Sequence, residues 1–185
     1  MTDKKFDVCE KRAEEIIAQY PDKHSAVMPL LYLVQEQSGC ITEEGILWVS
    51  GKIDMAPVHV REVATFYTMY YKKPVGRFHF QVCRTLSCAL RGARDVTGYL
   101  KERFGLEPGE VSLNGLWSYE EVECLGSCGT APMCQVNDTF FENLTVEKLG
   151  RIVDRIEAKK PNLKLSVLRD EMGDGLQGNP KSEVI

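Results

Sequence analysis

The chain has 185 residues, 43% of them hydrophobic and 27% charged, with a formal net charge of −4 at pH 7. This is an ordinary globular composition, long enough to bury a core without disulfide staples. Its lysines and arginines are scattered rather than gathered into a basic stripe, which excludes nucleic acid as the expected partner.

The longest apolar run, "AVMPLLYLV", has nine residues and contains Pro29, far short of the roughly 20 that span a bilayer. The start, "MTDKKFDVCEKRAEE", lacks the apolar core of a signal peptide. The expectation is a cytoplasmic chain without direct membrane insertion, in a reducing setting where clustered cysteines bind metal or do redox work.

In chain order, Phe6, Cys9, Ala13, Ile16, Ile17 and Tyr20 repeat at three and four, one face of a first helix. The turn "YPDKHS" follows, with Ser25 placed to cap a second helix in which Pro29 comes early and Gly39 closes the end. Thr42 heads a third helix whose first turn carries Glu43 and Glu44, and Pro57 opens a fourth, "APVHVREVATFY". Residues 1–72 therefore predict an N-terminal helical bundle, a packing or docking module without chemistry of its own.

After "KKPVG" the period changes. "RFHFQVC" predicts a strand ending at Cys83, and "SCALRGARDVTGYLKERFG" a single helix with Leu90, Ala93, Val96, Leu100 and Phe104 on one face, closed by Gly105. "LWSYEEVEC" predicts a second strand ending at Cys124, and "MCQVNDTFFENL" two short strands joined at Asn137 and Asp138. "TVEKLGRIVDRIEA" is a helix capped by Thr145, with Leu149, Ile152, Val153 and Ile156 as its apolar stripe. The order strand, helix, three strands, helix gives residues 73–160 as an α/β sandwich resembling the thioredoxin fold, its first two strands parallel and its hairpin antiparallel. Residues 161–185 read as a charged, Gly-containing tail, mobile or draped on a partner.

Five of the seven cysteines lie between residues 83 and 134, in "CRTLSC" and "CLGSCGTAPMC". On this scaffold Cys83 and Cys124 fall at the carboxyl ends of neighbouring strands, where open α/β sheets place their ligand sites. Cys88 falls near the start of the following helix, and Cys128 in a loop. Three chemistries suit four such thiols. A [2Fe-2S] cluster takes four cysteines, and the Gly, Ser and Thr of both loops offer backbone N–H groups and hydroxyls to its sulfurs. Gly126 and Gly129 would let the chain wrap closely, and the helix start near Cys88 would favour negative charge. A structural zinc site is the second possibility, although both spacings sit at the long edge of zinc-ribbon usage. A dithiol oxidoreductase is the third, and it would normally show C-x-x-C at a helix start.

"VREVATFYTMYYKKPVGRFHFQVCRTLSC", followed by "CLGSCGTAP" and "VN", resembles the thioredoxin-like [2Fe-2S] ferredoxin family that provides the E-type component of bacterial respiratory complex I, the NADH:quinone oxidoreductase. "LVQEQSGCITEEGI" extends the likeness into the helical region. The resemblance implies an α+β or α/β chain with an N-terminal helical bundle and a thioredoxin-like domain carrying one [2Fe-2S] cluster, held by Cys83, Cys88, Cys124 and Cys128. It implies an oxidoreductase subunit without a complete active site of its own. FMN and NADH would be bound by a partner flavoprotein subunit, with further peripheral-arm subunits beyond it. The location implied is the cytoplasmic side, peripheral to the inner face of the cell membrane. Related modules serve NAD-linked hydrogenases and formate dehydrogenases.

Two residues depart from the family pattern. Cys134 stands where an aliphatic residue or Met is usual, and reads as a small buried side chain or a thiol able to exchange with Cys128. Cys40 stands where a larger apolar or aromatic residue is expected; Cys40 and Cys9 read as packed thiols. His24, His59 and His79 read as structural or exposed, and Phe66, Tyr67, Tyr70 and Tyr71 as core. Pro132, just before a strand, occupies a place where thioredoxin-like folds put a cis proline.

Overall fold

A computed structural model describes residues 6–163. All but the first three residues of the expected tail, 161–185, lie outside the described residues. Contacts divide the chain into two compact units, the first ending at Pro74 and the second beginning at Val75.

In the first unit a 3-10 turn, Asp7–Cys9, leads into α1 (Glu10–Ile17), and a second, Lys23–Ala26, leads into α2 (Val27–Ser38). α3 (Glu43–Ile53) and α4 (Pro57–Phe66) follow. The expected first helix is shorter than its apolar period, because the segment around Phe6 enters as a 3-10 turn and Tyr20 lies beyond the helix end. Ser25 does not cap α2, whose N-cap is Ala26 without a side-chain bond; Asp22 caps the 3-10 turn before it, its carboxylate accepting the His24 N–H at 2.9 Å. Thr42 caps α3 by accepting the Gly45 N–H at 3.1 Å, and Gly39 ends α2 with a φ of 76°.

α2 is the centre of this unit, with Leu30, Leu31, Val34 and the amide side chain of Gln35 all fully buried. A buried amide must find partners. Gln35 accepts the Tyr71 N–H at 2.7 Å and donates to the Met69 carbonyl at 3.1 Å, fastening the segment after α4 to α2. Of the four aromatics expected in the core, Tyr70 and Tyr71 are buried, but Phe66 is 78% exposed and Tyr67 is also exposed. α4 stops at Phe66 and Tyr67 turns extended (φ −88°, ψ 122°), so the helical period no longer carries those two rings inward.

The second unit runs β1 (Phe78–Cys83), α5 (Leu86–Leu90), α6 (Ala93–Phe104), β2 (Trp117–Val122), β3 (Cys134–Val136), β4 (Thr139–Phe141) and α7 (Val146–Lys159). The sheet order is β2-β1-β3-β4, with β1 and β2 parallel and the other pairs antiparallel. Phe78, Phe80 and Val82 join Val96, Leu100, Leu149 and Ile156 in the core shared with α6 and α7. His79 and Gln81, on the opposite face of β1, are buried in a polar layer: His79 lies 2.8 Å from Ser118 Oγ and 3.1 Å from Glu120 Oε1. His79 is thus structural, and His24 and His59 are exposed.

This is the thioredoxin-like arrangement that the element order implies, with two corrections. The single helix expected after Cys83 is broken: Gly92 takes a φ of 97° and starts α6 on a new axis. Leu90 therefore falls off the α6 face and is 78% exposed, while Ala93, Val96 and Leu100 remain buried. β2 also ends at Val122, two positions before Cys124.

A close helix approach in the first unit rests on Gly45. A Cβ there would overlap the Val34 side chain, which is fully buried on α2. Gly45→Ala gains about 1 kcal/mol of helix propensity but overpacks a site where such crowding costs roughly 1–3 kcal/mol. The expected result is a net loss near ~1 kcal/mol, relieved in part when Val34→Ala is added. Chemical denaturation of the single and double variants checks this, and a more stable Gly45→Ala chain refutes it.

Candidate metal centre

The four cysteines reach one edge through strand register. Cys83, the last residue of β1, pairs with Val122, the last of β2, and the Arg84 N–H still reaches the Val122 carbonyl at 2.9 Å. Beyond that point both chains leave the sheet into loops. On the other flank, Cys83 N–H donates to the Met133 carbonyl at 3.3 Å, bringing the segment before β3 alongside. That segment contains the cis peptide between Ala131 and Pro132, at the proline where one is expected.

The thiols form two pairs of different character. Cys83 and Cys88 are each 2% exposed, and Cys124 and Cys128 are exposed, with 3.8 Å between their sulfurs. Donors converge on the sulfurs from both loops. Thr85 Oγ1 lies 3.2 Å from Cys83 Sγ, and the Gly126 N–H points at Cys124 Sγ from 3.4 Å. Gly126 has a φ of 83°, which a side-chain-bearing residue rarely adopts, and this turns its N–H toward the sulfur.

The electrostatics follow from these contacts. Burial opposes the Cys83 thiolate, but the Thr85 hydroxyl, the backbone N–H groups of Leu125 and Thr85, and Cys88 outweigh it and hold the thiol below its ordinary value. At Cys88, burial, the hydrogen bond with Cys83 and the nearby charges of Cys83 and Cys128 raise the thiol, against one backbone N–H from Met133. The Leu125 donor and the influence of Cys128 come from the second loop, so the two pairs converge in space.

This donor set fits a two-iron cluster. Four thiols grouped two and two would supply the four thiolates that such a cluster takes, and backbone N–H groups face the sulfurs whose charge they would stabilise. Among the described residues no three His, Cys, Asp or Glu side chains are gathered closely enough to hold a single metal ion.

The thioredoxin-like [2Fe-2S] ferredoxin family matches residues 13–157. The chain belongs to this family. Its cofactor is accordingly a [2Fe-2S] cluster, and the zinc and dithiol alternatives fall away. This ferredoxin is 44% identical over 147 residues to the E-type component of the NADH-quinone oxidoreductase of Rickettsia bellii, covering 78% of this chain and 88% of that one. It is 43% identical over 158 residues to NADH-quinone oxidoreductase subunit 2 of Thermus thermophilus, covering 84% and 87%. Among solved structures, an NAD+-reducing [NiFe]-hydrogenase in the H2-reduced state aligns with a TM-score of 0.62 at 17% identity. That alignment covers 71% of this chain and 22% of the hydrogenase chain, and it shows the likeness of fold alone.

Two expectations about the ferredoxin's loops need correction. α5 has five residues, so it lends Cys88 little helix dipole; the donor found there is the Met133 backbone, from the segment just before β3. The hydroxyls of Ser127 and Thr130 do not turn to the cysteine sulfurs. Both donate to one carboxylate oxygen of Glu142, Thr130 at 2.6 Å. Glu142 escapes sequence reasoning because it follows β4, far along the chain from either cysteine motif, and no spacing rule links it to them.

Cys134 sits fully buried on β3 opposite Val82, and burial pushes its thiol up to about 12. It is a packed side chain, as are Cys40, which is buried, and Cys9, half-buried and raised chiefly by burial. In brief alkylation of the metal-free, reduced chain, Cys124 and Cys128 are expected to react first and Cys134 only after unfolding. Peptide mass spectrometry reads the order; early labelling of Cys134 would contradict its placement.

Proposed function

We propose that this chain is an electron-transfer subunit in the NADH-oxidising module of an NADH:quinone oxidoreductase. Cys83, Cys88, Cys124 and Cys128 hold its cluster. When bound, that group supplies single-electron exchange with the FMN of a partner flavoprotein subunit, which also binds NADH. The observation that carries this reading is the meeting of two thiol pairs at the shared carboxyl edge of β1 and β2. The names of the relatives at 43–44% identity support the assembly, whereas the hydrogenase likeness concerns fold only.

The residues of the chain have three tasks in this reading. The N–H groups of Leu125, Thr85, Met133 and Gly126 oppose the negative charge that gathers on four thiolates and grows on reduction. Burial of Cys83 and Cys88 keeps water from the inner side of the site. The exposed Cys124 and Cys128 form the outer side, from which a partner can approach. Residues 1–72 serve as a helical docking domain, residues 73–160 as the cluster domain and residues 161–185 as a tail. No helix among the described residues is long and apolar enough to cross a membrane. Attachment in this reading is through the partner flavoprotein and further peripheral-arm subunits, on the inner face of the cell membrane.

Anaerobic purification should yield about two irons and two acid-labile sulfides per chain, with visible absorption that bleaches on chemical reduction. NADH should bleach it only when the flavoprotein subunit is added. Serine at Cys83, Cys88, Cys124 or Cys128 should each change or abolish the EPR signal of the reduced form, and Cys134→Ser should not. Stoichiometric zinc with little iron, or dependence on Cys134 in place of Cys128, defeats the assignment.

A further inference from the structure

The loop carrying Cys128 is tied down by residues that no cysteine motif contains. The Ser127 and Thr130 hydroxyls, 2.7 Å apart, both donate to Glu142 Oε1. The same connection between β4 and α7 supplies two backbone donors, Asn143 N–H to the Thr130 carbonyl at 2.7 Å and Leu144 N–H to the Pro132 carbonyl at 2.9 Å. Lys148, in the first turns of α7, donates from Nζ to the Glu142 carbonyl at 2.5 Å and holds this connection in turn. Residues on both sides of Cys128 are thus fixed to one short segment, and that segment to a helix whose apolar stripe is buried in the core.

Cys128 itself receives no such support from regular structure. It begins a 3-10 turn of three residues, Cys128–Thr130, and is exposed. An exposed sulfur on a single turn keeps its place only if the loop is held elsewhere. The Glu142 carboxylate binds both flanks of that turn. Its two hydroxyl donors hold its pKa below the ordinary carboxylate value, as a carboxylate engaged in its charged form requires.

We propose that Glu142 is a positioning residue for the Cys128 side of the site, holding that sulfur where the cluster needs it through the hydroxyls of Ser127 and Thr130. This rests on the reading of Cys128 as a cluster ligand. The Glu142 carboxylate takes its hydrogen bonds from Ser127 and Thr130, so it acts through two neighbours of one ligand. Partners of that kind, hydrogen-bonded behind a metal ligand, typically change metal retention by about 10–100-fold when removed.

The test uses the anaerobically purified chain and measures two quantities: amide exchange in residues 126–131 and the rate of iron loss to a chelator. Glu142→Ala should speed local exchange and raise the rate of iron loss at least about tenfold. Glu142→Gln keeps an oxygen that both hydroxyls can reach, and should restore most of the wild-type behaviour. Removing the donors instead, as Ser127→Ala with Thr130→Ala, should reproduce the Glu142→Ala rates, and the triple variant should be no worse than either. If Glu142→Ala does not fold, the paired alanine variant stands in for it. Wild-type rates in both would overturn the proposal, as would a Glu142→Gln chain that loses iron as fast as Glu142→Ala. A wild-type chain without iron would defeat the cluster reading instead, leaving the exchange comparison to judge the clamp.

Discussion

Everything at the metal centre depends on β1 and β2 being parallel and ending together. Parallel strands cannot be joined by a tight turn; the chain must cross the sheet, usually through a helix. Here α5 and α6 make that crossing and bury Val96 and Leu100 on the way. Because Cys83 stands opposite Val122, both chains leave the sheet on the same side, and residues far apart in sequence meet. An antiparallel pair would send Cys83 and Cys124 to opposite ends of the sheet. The register therefore does what no local motif could, and the core under it maintains the register.

The same residue type behaves in opposite ways within one domain, and its surroundings explain the difference. Cys134 lies in a dry sheet position where burial dominates, and its thiol is pushed up to about 12. Cys83 is also covered from solvent but lies at the end of β1, nearer the surface, where burial weighs less and hydroxyl and backbone donors turn the balance toward the thiolate. Depth and donors act together: deep burial without donors makes a cysteine inert, and shallow burial with donors does not.

Much of this organisation is legible in the sequence, and the exceptions have physical causes. The β1 strand, the caps at Thr42 and Thr145, and the turn at Asn137 follow from short-range rules, because a few adjacent residues decide each. The break at Gly92 is not legible, since the apolar spacing continues across it and glycine is also tolerated inside helices. Phe66 and Tyr67 look like core residues by type, but the helix ends beneath them. The cysteine spacing identifies the thiols that converge. Which backbone groups of Leu125 and Met133 reach the sulfurs, and that Glu142 holds the Ser127 and Thr130 hydroxyls, depends on tertiary proximity and leaves no pattern in the chain.

The unequal burial of the two thiol pairs has a further consequence. Electron tunnelling fades steeply with distance, so a redox centre works through its thinnest side, and at the proposed site the exposed pair, Cys124 and Cys128, makes that side. In the proposed role, an opening that would admit a partner's electrons would also admit dioxygen and peroxide, which attack accessible sulfur first. Covering that side would thus shield the centre as well as wire it. A free chain would age from its outer pair inward, and the assembled one would be protected by the same surface through which it works.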